Sequence, residues 1–198
     1  MEGIRDGDVH AALEKYVGER YVQHSTGVLD GRSGFSAFFE SFLERNPDQD
    51  IRVVRVCHRG RPDRRPGQAT DLEHTEANEQ TVADFIATVL RDGRFDRIEQ
   101  FVSSRSCIQH DPEIPDGAEG LVAYASAPAA GSRRLEYRKV HHLVGQGDSV
   151  ATLSETVRDG VSSAVFDIFR LGDGLIVEHG NVTELIPEPE QVANGGKF

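Results

Sequence analysis

The chain has 198 residues, of which 37% are hydrophobic and 7% aromatic, enough for one core held in one large domain or two small ones. A formal charge of −11 and a pI near 5.1 argue against a DNA or RNA partner, whose phosphates would be repelled. No apolar run approaches the ~20 residues a bilayer span needs, and "MEGIRDGDVH" lacks the basic-then-apolar pattern of a signal peptide, so no membrane partner and a cytoplasmic location are expected.

Taken in chain order, "LEKYVGERY" (13–21) leads into "YVQHSTGVLDGRSGFSAFF" (21–39) and then a strand-like "DIRVVRV" (50–56). The first of these runs returns as "IEQFVSSRS" (98–106), and the second as "CIQHDPEIPDGAEGLVAYA" (107–125). Gln23 and His24 match Gln109 and His110, while Asp30, Gly31 and Gly34 match Asp116, Gly117 and Gly120. Self-similarity of this kind marks a repeat. The first copy stops early, in the arginine-rich "RGRPDRR" (59–65), whose proline and glycine suit a solvated connector without aromatic residues for base stacking. The expected organisation is a partial unit (1–58), a linker (59–75), a complete unit (76–188) and a polar tail (189–198).

In the complete unit, Thr75 or Asn78 caps a helix that turns Val82, Phe85, Ile86, Val89 and Leu90 to one face. A second helix is expected around 94–103, a short strand at 107–110, a loop at 111–117 and a weak helix near 118–126. Strands at 134–140, 149–157, 161–171 and 175–186 follow, separated by Asp-Gly and Gly-Asp-Gly turns. Helices followed by a curved antiparallel meander make an α+β fold with helices over one sheet face.

The last hairpin raises the chemical question. Asp167 lies among Val165, Phe166, Ile168 and Phe169, and a buried carboxylate is costly unless paired, hydrogen-bonded or protonated. A three-residue turn, Gly172-Asp173-Gly174, sets Phe169 opposite Val177 and Asp167 opposite His179. Val165, Asp167, Phe169, His179, Asn181 and Thr183 then share one face, apolar near the turn and polar in the middle. A two-residue turn, Asp173-Gly174, slips the register by one and removes the Asp167–His179 pairing.

The pair of phrases "IQHDPEIPDGAEG" and "FDIFRLGDGLIVEHGN" resembles the SnoaL-like polyketide cyclases, over 76–188 in full and 5–56 in part. The resemblance implies a nuclear transport factor 2-like fold, a cone-shaped antiparallel sheet wrapped around a pocket by three helices. It also implies a homodimer and a small hydrophobic ligand. The same fold serves cyclases, isomerases, dehydratases and non-catalytic binding proteins, so fold alone names no reaction. By resemblance, His110 stands at the pocket mouth as an acid/base, and Asp111 matches the general base of steroid isomerases. Asp167 matches their oxyanion-binding aspartate, a case the neutral carboxylic acid of ketosteroid isomerase exemplifies. Where the family ends its last strand "EHWD", this chain has Gly180 and Asn181, and an amide does not titrate.

Two readings follow. In the first, the chain is a cofactor-free acid/base enzyme on a hydrophobic carbonyl compound, a cyclase, isomerase or dehydratase. His110, Asp167 and His179 are its catalytic groups, and Gln109, Asp111, Asn181, Val165 and Phe169 bind the substrate. In the second, the same fold is a ligand-binding or dimerisation module without turnover, and Asp167–His179 is a structural hydrogen bond. The enzyme reading calls for a cavity of roughly 300 Å³ or more. No cofactor and no metal are expected: His141 and His142 are strand neighbours pointing to opposite faces, and Cys57 and Cys107 match no zinc spacing.

Overall fold

The computed structural model describes residues 7–48, 70–105, 107–126 and 134–198. The expected strand at 50–56, the arginine-rich stretch at 59–65 and Cys57 lie outside the described residues. Two compact units emerge. One comprises Met1–Val54 together with Ile186–Phe198, the other Arg55–Leu185.

In the first unit, helix α1 (Val9–Tyr16) is capped by Asp8, whose carboxylate accepts from the Ala11 amide at 2.9 Å. Helix α2 (Gly31–Arg45) carries Phe35, Phe38, Phe39 and Phe42 in mutual ring contact, with Tyr21 edge-on to Phe35. The 186–198 segment fastens to the loop before α2. The Asn194 amide donates to the Ser25 and Val28 carbonyls at 2.7 and 2.8 Å, and the Ala193 amide to Thr26 O at 2.9 Å.

In the second unit, helix α3 (Thr75–Phe85) runs into a wider turn, Ile86–Arg91, that ends where Gly93 takes a left-handed φ of +71°. Val82, Phe85, Ile86, Val89 and Leu90 are all buried, each contributing about 1.5–3 kcal/mol to holding this helix on the sheet. Neither predicted cap is one. Asn78 is buried and donates to Gly147 O at 2.8 Å, while Thr75 accepts from the Gly147 amide at 2.8 Å, so both tie α3 to a strand turn. The second expected helix is a short 3-10 turn, Phe95–Gln100. Strand β1 is Ile108–Gln109 and helix α4 is Ala118–Ser126.

Four long strands complete the unit: β2 (Glu136–Gln146), β3 (Ser149–Arg158), β4 (Val161–Gly172) and β5 (Leu175–Leu185). The sheet order is β1-β5-β4-β3-β2. β2 to β5 form the expected antiparallel meander, but β1 joins β5 in parallel. The sheet is therefore mixed, a correction to the all-antiparallel expectation.

The β4–β5 turn is the two-residue one. Gly172 pairs with Leu175, and Asp173 and Gly174 have φ of +53° and +75°, both left-handed as a tight hairpin turn requires. The expected three-residue turn is thus corrected, and so is the pairing of Asp167 with His179: Asp167 stands opposite Asn181, and Phe169 opposite His179. A bulge beside Arg170 and Leu171 absorbs Val177 as an extra residue. The tighter turn and the bulge each shift the register by one in the same direction, and a net shift of two keeps Val165, Asp167 and Phe169 on one face with His179, Asn181 and Thr183.

Candidate functional site

On that shared face Asp167 is fully buried and His179 is 3% exposed. They meet diagonally across β4 and β5, His179 Nε2 lying 3.1 Å from Asp167 Oδ1. Strand β1 brings Gln109 beside His179, and the Gln109 Oε1 accepts from His179 Nδ1 at 2.8 Å. Both ring nitrogens therefore face acceptors, the pattern that a doubly protonated imidazolium satisfies in full. Phe169, 1% exposed, stacks on the ring at 4.9 Å and fixes its plane.

Two further donors converge on the carboxylate. The Tyr137 hydroxyl from β2 reaches its oxygens at 3.3 and 3.4 Å, and Thr152 from β3 reaches Oδ2 at 3.3 Å. Three donors from three strands answer the cost of burying Asp167. Burial first, and the neighbouring Asp167 charge second, push the Tyr137 phenol well above its ordinary value, so it stays protonated at neutral pH. The sequence reading missed Tyr137. The signal was present in "RLEYRKV", where Leu135 and Tyr137 alternate with polar neighbours, and a buried tyrosine hydroxyl calls for a partner.

A cleft of about 130 Å³ opens beside this network, lined by Tyr124, Leu135, Tyr137, Arg158, Val165 and Asn181, with Thr156, Ser163 and Thr183 also in its wall. That is below the roughly 300 Å³ expected of a ligand pocket. An inner void of about 10 Å³ shares Tyr124, Leu135, Tyr137 and Asn181 with the cleft and touches His179 and Phe169. It has room for about one water molecule. Val165 and Asn181 thus line the cleft, and Phe169 belongs to the core floor beneath it.

His110 lies elsewhere. Its side chain is 59% exposed, and its Nε2 lies 2.7 Å from an oxygen of Glu178, whose other oxygen accepts from Arg170. Glu178 precedes His179 on β5 and so points to the opposite sheet face. A Cβ placed at Gly180 would come within 3.1 Å of the His110 Cβ, a tight contact that His110 would have to yield to. Asp111 accepts from the Glu113 amide at 2.8 Å, turn chemistry at the start of the loop. The structure therefore brings Asp167, His179, Gln109 and Asn181 to one side of the sheet and leaves His110 and Asp111 outside that group.

Two features lie apart from this face. Cys107 is buried, and its thiol is pushed up to about 11 by burial, with Asp116 adding to it. Asp71, Glu73 and His74, all exposed, bring three potential metal-ligand atoms within 4.8 Å of one another, a grouping the sequence reading did not foresee.

Residues 82–179 match the family model of the SnoaL-like domain and make up most of the α+β second unit. Among solved structures, the chain is similar to a candidate ketosteroid isomerase from Kribbella flavida at 13% identity and a TM-score of 0.49, covering 59% of this chain and 84% of that one. It is also similar to a candidate SnoaL-like polyketide cyclase from a Jannaschia species, at 21% identity and 0.45, covering 62% and 90%. A third is an epoxide hydrolase from M. tuberculosis, at 17% identity and 0.45, covering 56% and 85%. No curated protein sequence matches the chain. Among the described residues, no helix is long and apolar enough to cross a membrane.

Proposed function

We propose that the second unit is a small-molecule enzyme that needs no cofactor and works by proton transfer on a carbonyl compound, in a cyclisation, isomerisation or dehydration. The observation that carries this reading is an unbroken hydrogen-bonded chain, Gln109–His179–Asp167–Tyr137, running from a buried imidazole to the cleft wall. When an enolate or alkoxide forms in the cleft, the Tyr137 O–H turns from Asp167 to that oxygen and delivers its proton there. The Nε2 proton of a protonated His179 passes to Asp167, whose carboxyl then donates it to the Tyr137 oxygen. The net step moves one proton from imidazolium to oxyanion, leaving a neutral histidine and a hydroxyl. Asn181 supplies an amide N–H to the same oxygen. Apolar parts of the ligand rest on Leu135 and Val165.

Turnover of a panel of 1,3-dicarbonyl and β-hydroxycarbonyl compounds tests the scheme. Tyr137→Phe and Asp167→Asn should each slow the reaction by about 10²-fold or more, and His110→Ala on the far face should leave it unchanged. Equal rates in the wild type and both relay variants would remove the assignment.

The narrow inner void, together with Gly180 and Asn181 in place of the family's tryptophan and aspartate, favours a second reading: a binding module of the same fold that has lost turnover. It predicts ligand binding with no product from any member of the panel, and binding unaffected by Tyr137→Phe.

A further inference from the structure

Arg158 closes β3 and lines the cleft, yet among the described residues it forms no ion pair. Its Nη2 donates to the Tyr124 carbonyl at 2.9 Å, and its guanidinium sits 4.7 Å from the Tyr124 ring centroid. Its Nε is buried and has no hydrogen-bond partner, and among the described residues no carboxylate pairs with it. The rest of the cleft wall offers hydroxyls, one amide and apolar groups, but no carboxylate. In a chain of net charge −11, an arginine that lines a recess and forms no ion pair among the described residues is an exception to be explained. A buried, unsatisfied guanidinium N–H is costly, and a planar oxyanion is the group whose geometry its fork matches.

We infer that the cleft takes a small organic acid, its carboxylate held by Arg158 and its body lying on Leu135 and Val165 toward Tyr137 and Asn181. This rests on the reading of the cleft as the substrate site and adds the ligand's charge and orientation. The volume suits a body of about one ring, since a cavity of ~150 Å³ accommodates benzene.

Benzoate and its neutral isostere benzamide test the inference, titrated against the full chain and followed by backbone amide shifts. Benzoate should bind at least about tenfold more tightly than benzamide, with the largest shifts at Val165, Asn181 and Thr183. Arg158→Gln should abolish that preference and leave benzamide binding unchanged. Arg158→Lys, which keeps the charge if the glutamine variant fails to fold, should retain part of it. Asp167→Asn should leave the preference intact, so a dead relay and a wrong ligand charge give different results. Equal affinity for the two probes, a preference that survives Arg158→Gln, shifts away from the cleft, or no benzoate binding at about 10 mM would each overturn the inference.

Discussion

Cys107 and Tyr137 are buried weak acids whose charged forms the fold disfavours, and both act in the same direction with pH. For a group whose folded value lies above its unfolded one, the stabilisation is complete below the unfolded value and is lost as pH rises through the folded value. For Cys107 that window runs from about 9, the ordinary thiol value, to about 11. The full span corresponds to roughly 2–3 kcal/mol. Melting temperature should thus hold steady through neutral pH and fall between those limits, more shallowly in Cys107→Ala than in the wild type. A wild-type profile flat to the upper limit would contradict the burial argument. The same thiol should react slowly with alkylating reagents at pH 8 while the chain is folded and rapidly once it is unfolded. Asp167, also buried, is surrounded by three hydrogen-bond donors rather than an apolar wall. A carboxylate in the middle of "VFDIF" was legible as a group needing partners, and "RLEYRKV" marked Tyr137 as inward-facing; that Thr152 and Tyr137 are those partners was not legible, since their strands take a register that depends on the whole sheet.

At the scale of elements, long strands and the apolar stripe of α3 were readable because their periods extend over ten residues or more. The hairpin register was not. Leu175, Ile176 and Val177 are consecutive apolar residues, so no alternation says which of them is the extra one in the bulge. The same holds for the two-residue β1, too short to show a direction. The inner face of β3 was hidden for a related reason: Thr152, Ser154, Thr156 and Arg158 point to the core side, while Ala151, Leu153 and Val157 alternate with them, the reverse of an ordinary amphipathic strand. A finer likeness does appear between the stretches 23–34 and 109–120. The Gln23 amide donates to Asp30 and the Gln109 amide to Asp116, each at 2.8 Å. Gly31 and Gly117 both have φ between +80° and +90°. A Cβ at Gly34 would lie 2.1 Å from the Leu29 carbonyl oxygen, and one at Gly120 2.0 Å from that of Pro115. Backbone meets backbone at both places and neither can yield cheaply. Gly34→Ala and Gly120→Ala should each destabilise by about 1–3 kcal/mol, measured by urea unfolding; a change within experimental error for Gly120→Ala would show that the loop at 111–117 has room to move.

At the scale of the whole molecule, the chain leaves the first unit, builds the second, and returns its last residues to the first. The polar "PEQVANGGKF" reads in sequence as a solvated tail, since nothing apolar in it announces a docking surface. Its attachment is made by hydrogen bonds instead. Asn194 spans two carbonyls, the Ala193 amide reaches Thr26, and the Gly195 amide reaches Asp30 at 3.1 Å, all on the stretch that leads into α2. Asp30 in turn holds the Gln23 amide. Four hydrogen bonds at about 1 kcal/mol each are worth more than the local opening of an exposed loop usually costs. Truncation after Ile186 should therefore lower amide exchange protection at Val28 and Gly31 by at least about tenfold. Protection at Val150 and Phe169 in the second unit should stay within a factor of two or so, because none of their partners comes from the removed segment. A uniform loss of protection across both units would mean that the returning segment supports the whole chain rather than the loop it touches.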